Sequence, residues 1–299
     1  MAFFLQVLVT GLALGCIYGL IALGVVVIFS ATRLLNFAQG EFLMLGGLTA
    51  WFTLTNRKWP LVISAVIVIA VGMLAGAIVS RGVVAVMLAR GAENISVVIA
   101  TLAVSIVLAQ GVARYMGPNS RRVPSAISGA PIRLGGATVT KANIAVVLGS
   151  AVALVIFGYI RSRTRTGLSL RAVGANRQGA RVLGVNVGSI ETVAFALSGG
   201  VAAFGGLLIT PITGWTPNMG LNIAIFGFIA AIVGGIANPY TAFIGGLLVG
   251  ILTAVSQGYL PTNFPFSTVI VFVVLILVIA VRPGGIIPSL ETRTGSLRS

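Results

Sequence analysis

The sequence lacks most of the residue types on which catalytic chemistry depends. It has no histidine and no aspartate, and it holds one cysteine and four acidic residues among 299. A single cysteine excludes an intramolecular disulfide and a thiolate metal cluster, and the lack of histidine leaves no ordinary zinc site. The phosphate-binding motif Gly-x-x-x-x-Gly-Lys-Ser/Thr is also absent, so we expect no ATP hydrolysis by this chain itself. We therefore expect a protein that is not an enzyme, with no catalytic residues and no metal site.

Charge of either sign is scarce, whereas long apolar runs are abundant. Charged residues make up 8% of the chain, hydrophobic residues 58%, and the mean hydropathy is +1.11. A soluble domain carries roughly 25% charged residues. The composition predicts an all-α, polytopic transmembrane helix bundle with about eight or nine spans, some short or broken, in one domain over residues 1–299. The expected spans cover approximately residues 3–29, 42–54, 61–79, 95–113, 142–160, 188–209, 221–236, 240–256 and 265–281.

The net charge of +15 is confined to short segments between the apolar runs. This placement is typical of topology signals and of contacts with anionic lipid, so we expect a lipid bilayer and no nucleic acid as partner. Twelve basic residues fall in the loops of one side and seven in the loops of the other. The excess predicts a periplasmic N-terminus, a cytoplasmic C-terminus, a periplasmic loop over 114–141 and a cytoplasmic segment over 161–187.

The segment 161–187 is the longest basic island, with six arginines and no acidic residue. Its pattern predicts a short, weakly amphipathic helix over about 168–183, capped by Thr166 or Ser169 and ended by Gly184. One interpretation is an orientation signal alone. The other is a docking helix for a soluble subunit, because isolated arginines between small residues suit a groove on a partner. The candidate docking residues are Gly167, Arg171, Ala172, Asn176, Ala180, Leu183 and Gly184.

A second polar segment, Asn36 to Glu41, lies between the first two apolar runs. It is either a loop or the start of a broken helix of the kind that transporters place within the membrane. Glu41 is a candidate for stabilising the start of the second span. Alternatively, Asn36, Gln39 and Glu41 line a translocation path.

Small residues recur at helical spacing in the first span. Gly11, Gly15 and Gly19 follow one another at four-residue intervals, which predicts close helix packing. A weak echo of this pattern occurs in GGVAAFGGLLI and IGGLLVGIL in the second half. Duplicated halves are typical of transporters.

Three motifs resemble a known family in their order and spacing. They are GLALGCIYGLIALG followed by LLNFAQGEFLMLGG, then GLSLRAVGANRQGARVLGVNV leading into FALSGGVAAFGGLL, and finally IVGGIANPYTAFIGGLLVGIL. Together they resemble the inner-membrane permeases of ABC importers for branched-chain, or hydrophobic, amino acids.

The resemblance implies a permease subunit in the bacterial inner membrane, translocating branched-chain or other hydrophobic amino acids. The segment around Arg171 would be the coupling helix seated on a separate ABC ATPase, which would use the ATP, and this chain would bind no cofactor. Further implied partners are a second, homologous permease in a heterodimer and a periplasmic substrate-binding protein. Asn36, Gln39 and Glu41 are candidate partners for the zwitterionic end of the substrate. The alternatives are a related permease for urea or short amides, and a secondary transporter or channel working alone.

Overall fold

The computed structural model describes residues 2–124, 132–134 and 137–259, and a few positions between 269 and 277. The regular structure of these residues is helical apart from one short pair of antiparallel strands. The helices are α1 (Ala2–Thr32), α2 (Gln39–Trp51), α3 (Leu61–Val79), α4 (Ala85–Ala89), α5 (Asn94–Met116), α6 (Lys141–Arg163), α7 (Arg165–Ala175), α8 (Arg177–Val182), α9 (Val187–Thr213), α10 (Met219–Gly234) and α11 (Pro239–Tyr259). The antiparallel strands are β1 (Ile132–Leu134) and β2 (Ala137–Val139).

Within the described part of the chain, six helices are long and apolar enough to cross a membrane. They are α1, the continuous segment Leu61–Ala89, α5, α6, α9 and α11. Leu61–Ala89 joins α3 and α4 through a π-helical turn, Ser80–Val84, and is therefore longer than the span expected over 61–79. The predicted count of eight or nine spans, some of them short, is not confirmed, because α2 and α10 fall on two of the expected spans and are shorter than a full span. The predicted last span over 265–281 lies largely outside the described residues.

The helices α2 and α10 have 13 and 16 residues. At 1.5 Å per residue they are about 20 and 24 Å long, less than the roughly 30 Å of a bilayer core. A π-helical turn, Phe52–Asn56, prolongs α2. Both helices are therefore half-helices that begin inside the bundle.

Helix α1 forms the centre of the bundle. Of its most apolar window, 83% is buried, against 17% for α5 and 22% for α6. Large aliphatic side chains on α3, α5 and α6 are exposed on the outer surface. The arrangement suits a bundle in which α1 and α9 are surrounded by protein and the outer helices face lipid.

The helices α1–α2–α3 and α9–α10–α11 form two inverted repeats. Helix α1 packs antiparallel on α11, with Gly19 against Gly246 and Gly15 against Gly250. Helix α9 packs in the same way on α3, where Gly199 meets Gly72. Gly19 and Gly199 are 180 residues apart and take equivalent places in the two repeats.

The repeats run in opposite directions relative to α7 and α8. Arg33, at the end of α1, contacts Gly174 of α7, whereas Glu191, near the start of α9, contacts Arg177 of α8. Helix α1 thus runs toward α7–α8 and α9 runs away from them. Such opposed repeats are a common construction of membrane transporters.

Contacts among the described residues assign several basic residues to the two ends of the bundle. The end of α3 reaches the start of α9, where Ser80 and Thr192 lie 3.5 Å apart, so Arg81 belongs to the α7–α8 end. At the opposite end, Arg121 pairs through its backbone with Trp215 and stacks on Trp51 at 4.4 Å. We call this the hairpin end.

Candidate functional site

The half-helices α2 and α10 meet head to head inside the bundle. Helix α2 runs from Gln39 toward Trp51 at the hairpin end, and α10 runs from Met219 toward the α7–α8 end. Their first turns touch at Gly40 and Gly220, where a Cβ on Gly220 would lie only 2.6 Å from the carbonyl oxygen of Gly40. Only glycine lets the two backbones approach this closely.

The two N-termini have the same backbone geometry. The residues before them, Ala38 and Asn218, have φ/ψ of −73°/0° and −95°/2°, and neither caps its helix through a side chain. The positive ends of two helix dipoles therefore converge at the Gly40–Gly220 contact, which we call the junction. Converging half-helix N-termini of this kind favour anionic groups.

Asn36, Gln39 and Glu41 lie in the segment that leads into α2 and in its first turn, and all three are buried, with exposures of 3%, 0% and 0%. The segment before α2 is therefore a chain break inside the bundle, as the broken-helix interpretation predicts. Asn36 accepts a hydrogen bond from the backbone N–H of Ala38 through Oδ1, at 3.1 Å, and its Nδ2 has no hydrogen-bond partner.

Both polar atoms of Gln39 are engaged by Ser198 of α9. Ser198 Oγ donates to Gln39 Oε1 at 2.8 Å, and Gln39 Nε2 donates to the carbonyl of Ser198 at 3.4 Å. A Cβ on Gly24 would overlap this amide, so α1 leaves room for it. The pair joins the first repeat to the second across the bundle.

Glu41 has one satisfied and one unsatisfied oxygen. Ser105 of α5 donates from Oγ to Glu41 Oε1 at 2.9 Å, whereas Oε2 has no hydrogen-bond partner. A Cβ on Gly220 would lie 2.9 Å from Oε2, so this oxygen faces the first turn of α10. Glu41 lies in the first turn of α2, yet its carboxylate points across the junction toward α5 and α10.

The basic segment forms two helices, and the single helix expected over 168–183 is a wrong prediction. The chain breaks at Asn176, whose Oδ1 accepts from the N–H of Gly179 at 2.8 Å and caps α8. The cap of α7 is Thr164, which accepts from the N–H of Gly167 at 3.1 Å, in place of Thr166 or Ser169. Asparagine favours such caps over helix interiors, which explains the break.

Gly184 ends α8 as the sequence predicts. Its φ of +80° is accessible mainly to glycine, and its N–H donates to the carbonyl of Arg181 while that of Val185 donates to Ala180. These paired bonds form a Schellman motif.

Two contacts tie the basic segment to the central helices. The Arg33 guanidinium donates to the carbonyl of Gly174 at 3.0 Å, in the last turn of α7. Arg177, at the start of α8, forms an ion pair with Glu191 of α9. A cavity of about 300 Å³ lies between these ties, lined by the end of α1 and by residues 173–178.

The predicted docking residues divide between an inner and an outer face. Gly167 and Ala180 are buried, and a Cβ on Gly167 would overlap backbone carbonyls at the end of α6. Ala172 is half-buried, whereas Arg171, Asn176, Leu183 and Gly184 are exposed. The outer face also carries Leu168 and Val182, and its three large apolar side chains are 62–87% exposed.

Gly11, Gly15 and Gly19 of the first span face α11, as close helix packing requires. A Cβ on Gly11 would lie 2.9 Å from the Cα of Ile251, one on Gly15 would lie 2.8 Å from that of Leu247, and one on Gly19 would lie 2.7 Å from the ring of Phe243. Cys16 is buried.

Sequence reasoning missed the partners that complete the junction, Ser105, Ser198 and Gly220. No local pattern singles them out, because serine and glycine are common in membrane helices. The one available signal is the 180-residue spacing that relates Gly40 to Gly220.

The inverted repeats, the paired half-helices and the buried polar junction together define a multi-pass membrane transport protein. Residues 7–279 match the family described as "Branched-chain amino acid transport system / permease component". The chain belongs to this family, as the resemblance in the three motifs indicated.

Curated relatives carry the same description. The chain is 27% identical to the high-affinity branched-chain amino acid transport system permease protein LivH of Salmonella typhimurium, over 95% of this chain and 96% of the relative. It is 28% identical to the corresponding protein BraD of Pseudomonas aeruginosa, over 95% of each. A probable branched-chain amino acid transport permease of Methanocaldococcus jannaschii is 28% identical over 89% of this chain and 87% of the relative. No solved structure matches the chain.

Proposed function

We propose that this chain is the permease subunit of an importer that carries branched-chain or other hydrophobic amino acids across the bacterial inner membrane, driven by a separate ABC ATPase. The family and the printed descriptions of the relatives support the substrate class. The observation that carries the mechanism is the pair of ties from α7–α8 to the central helices of both repeats.

The outer face of α7–α8 is the proposed seat of the ATPase. It combines exposed arginines, Arg171 and Arg181, with the exposed apolar side chains of Leu168, Val182 and Leu183. Exposed aliphatic groups on a polar segment mark a protein interface when they cluster in this way. Backbone contacts fix the position of this face. The Schellman turn at Gly184 ends α8, and Gly167 of α7 packs against the backbone carbonyls at the end of α6.

The ties give the ATPase a mechanical route to the junction. Arg33 directly follows α1 and Glu191 lies in the second turn of α9, and these two helices contact Gln39 through Gly24 and Ser198. A displacement of α7–α8 therefore moves both central helices relative to each other and changes the side on which the junction opens. ATP acts on the partner subunit, and this chain binds no cofactor.

The orientation and the other partners follow from the same proposal. The α7–α8 end, which carries the larger share of arginines, faces the cytoplasm, and the hairpin end faces the periplasm. A periplasmic binding protein delivers the amino acid to the hairpin end. A second, homologous permease completes a heterodimer with this chain.

The test uses the complete importer in proteoliposomes, with labelled leucine outside. Replacing Arg171 and Leu183 together by glutamate reverses one charge and adds another on the outer face, so co-purification of the ATPase and ATP-driven uptake should fall at least about tenfold. The matched control is Arg122→Glu, an exposed arginine at the hairpin end. Unchanged uptake and co-purification in the double variant would refute the docking surface. Gradient-driven leucine flux without the ATPase would identify a transporter that works alone.

A further inference from the structure

We propose that the junction is a binding site for the charged main-chain end of a free amino acid, in which Glu41 takes the ammonium group and Asn36 takes the carboxylate. The inference rests on the proposed function, because it assigns roles within the same path. It excludes Gln39 as a ligand and adds Ser105 as a positioning residue.

Two unsatisfied polar atoms carry the argument. Glu41 Oε2 and Asn36 Nδ2 belong to side chains that are 0% and 3% exposed, and neither atom has a hydrogen-bond partner. The other unpartnered buried side-chain atoms within the described ranges are hydroxyl oxygens of serine and threonine. Buried carboxylate and amide groups are normally satisfied, so two exceptions five residues apart indicate a ligand.

The two atoms are complementary to the two ends of a zwitterion. A carboxylate oxygen accepts hydrogen bonds only, and an ammonium group offers three donors. The Asn36 Nδ2 group donates, which suits the carboxylate of the substrate. The uncapped N-terminus of α2 begins three residues after Asn36 and adds a favourable field for that carboxylate.

Ser105 sets the direction of the Glu41 carboxylate. Its hydroxyl occupies Oε1 at 2.9 Å, so Oε2 is the oxygen left to face α10 and Gly220. Gln39, in contrast, has no polar atom left for a ligand, because Ser198 donates to its amide oxygen and accepts from its amide nitrogen. We assign Gln39 to holding the two repeats together.

The site favours an amino acid over a neutral amide or urea. A neutral ligand brings no cation to Glu41, whose carboxylate would then stay buried without a counter-charge. Because α2 and α10 touch at Gly40 and Gly220, the half-helices must separate for the ligand to enter. Ligand binding is thereby coupled to the relative movement of the two repeats.

The test measures binding of labelled leucine and labelled leucinamide to the importer complex in nanodiscs, without the soluble binding protein. Leucinamide keeps the ammonium group and lacks the carboxylate. Glu41→Gln should weaken both ligands at least about tenfold, because both lose a charge-assisted bond. Asn36→Ala should weaken leucine about five- to tenfold and leave leucinamide unchanged.

Three controls separate this site from a structural effect. Glu93→Gln removes an exposed acid elsewhere and should bind like the wild type. Ser105→Ala keeps the carboxylate and should weaken both ligands by about threefold, which supplies a milder variant if Glu41→Gln does not fold. A purely structural role for Glu41 and Asn36 would weaken both ligands equally in both variants, which would overturn the assignment.

The outcomes distinguish this inference from the proposed function. ATP-driven uptake of leucine with no saturable binding to the complex, or with binding unaffected by Glu41→Gln, would overturn the site and leave the importer standing. Loss of labelled sodium binding in Glu41→Gln with unchanged leucine binding would identify a cation site in its place. Absence of ATP-driven leucine uptake by the wild type would instead refute the proposed function.

Discussion

The two inverted repeats share a backbone design and differ in chemistry. Both place a half-helix with an uncapped N-terminus at the junction, and both keep a glycine, Gly40 or Gly220, at the point of contact. The first repeat surrounds this point with Asn36, Gln39 and Glu41, whereas the second has Thr216, Met219 and Leu221 at the corresponding positions. The comparison shows that both repeats contribute glycine backbone to the junction, whereas its buried amide and carboxylate side chains come from the first repeat.

The repeats also differ in exposure and in how they are tied to α7–α8. Asn36 is buried at 3%, whereas Asn218, in the corresponding segment of the second repeat, is exposed. The first repeat is tied by a guanidinium on a backbone carbonyl, and the second by an ion pair between side chains. The second tie can therefore be removed by a substitution at either Arg177 or Glu191. The first can be removed only at Arg33, because its acceptor is a backbone carbonyl.

The largest effect is expected where the repeats touch. Gly40→Leu or Gly220→Leu would push a side chain into the opposing backbone, which cannot move aside as a flexible side chain can. We expect a loss of about 3 kcal/mol or more and no transport from either variant. Thermal unfolding followed by size-exclusion chromatography measures the loss.

Gly111→Leu is the control for these two variants. A Cβ on Gly111 of α5 would meet nothing within 4 Å, so this variant should unfold at the wild-type temperature. A stable, active Gly40→Leu protein would contradict the contact between the half-helices.

An intermediate effect is expected from making the first repeat resemble the second. Gln39→Met introduces the residue that the second repeat has at that position, and it leaves the hydroxyl of Ser198 without its partner. The cost should be about 1–3 kcal/mol in stability, with reduced uptake of leucine. Adding Ser198→Ala removes the unpaired hydroxyl and should restore part of the stability; no recovery in the double variant would mean that the pair does not contribute as described.

A smaller effect is expected from cutting one tie at a time. Arg33→Ala removes an exposed contact and should cost less than about 1 kcal/mol in stability, whereas Glu191→Gln removes the charge of a buried partner and should cost about 1 kcal/mol. Each should nevertheless reduce the leucine carried per ATP hydrolysed by about two- to fivefold, because the movement of α7–α8 reaches only one central helix fully.

The control for the ties is Arg122→Ala, which removes an exposed arginine at the hairpin end. The measurement is the ratio of uptake to phosphate release in proteoliposomes. Wild-type ratios in both tie variants would show that force reaches the bundle by another route.

The long spans and the chain break at Asn36 could be predicted from the sequence, because apolar length and clustered polar residues act locally. The positive φ at Gly184 was predictable for the same reason. The break at Asn176 was missed. The sequence does not show whether an asparagine accepts from the N–H three residues further on and caps a helix, or lies exposed in the middle of one. The number of full spans could not be predicted, because hydropathy does not separate half-helices from full spans.

The junction itself lay beyond sequence reasoning. Its contacts join residues 64 to 180 positions apart, such as Ser105 with Glu41 and Gly220 with Gly40. Individual serines and glycines carry too little information to identify such partners in a chain with 39 glycines. The weak sequence similarity between the two halves was the only sign of the repeats in the sequence. The packing of α1 on α11 and of α9 on α3 explains it.

The most direct test compares the two repeats at one equivalent position. ATP-driven leucine uptake by the complete importer is measured for Glu41→Gln and for Leu221→Gln, which place an amide at the third residue of α2 and of α10. The account predicts a fall of at least about tenfold for Glu41→Gln and less than about twofold for Leu221→Gln. Equal losses in the two variants, or wild-type uptake with Glu41→Gln, would contradict the claim that the first repeat alone carries the site.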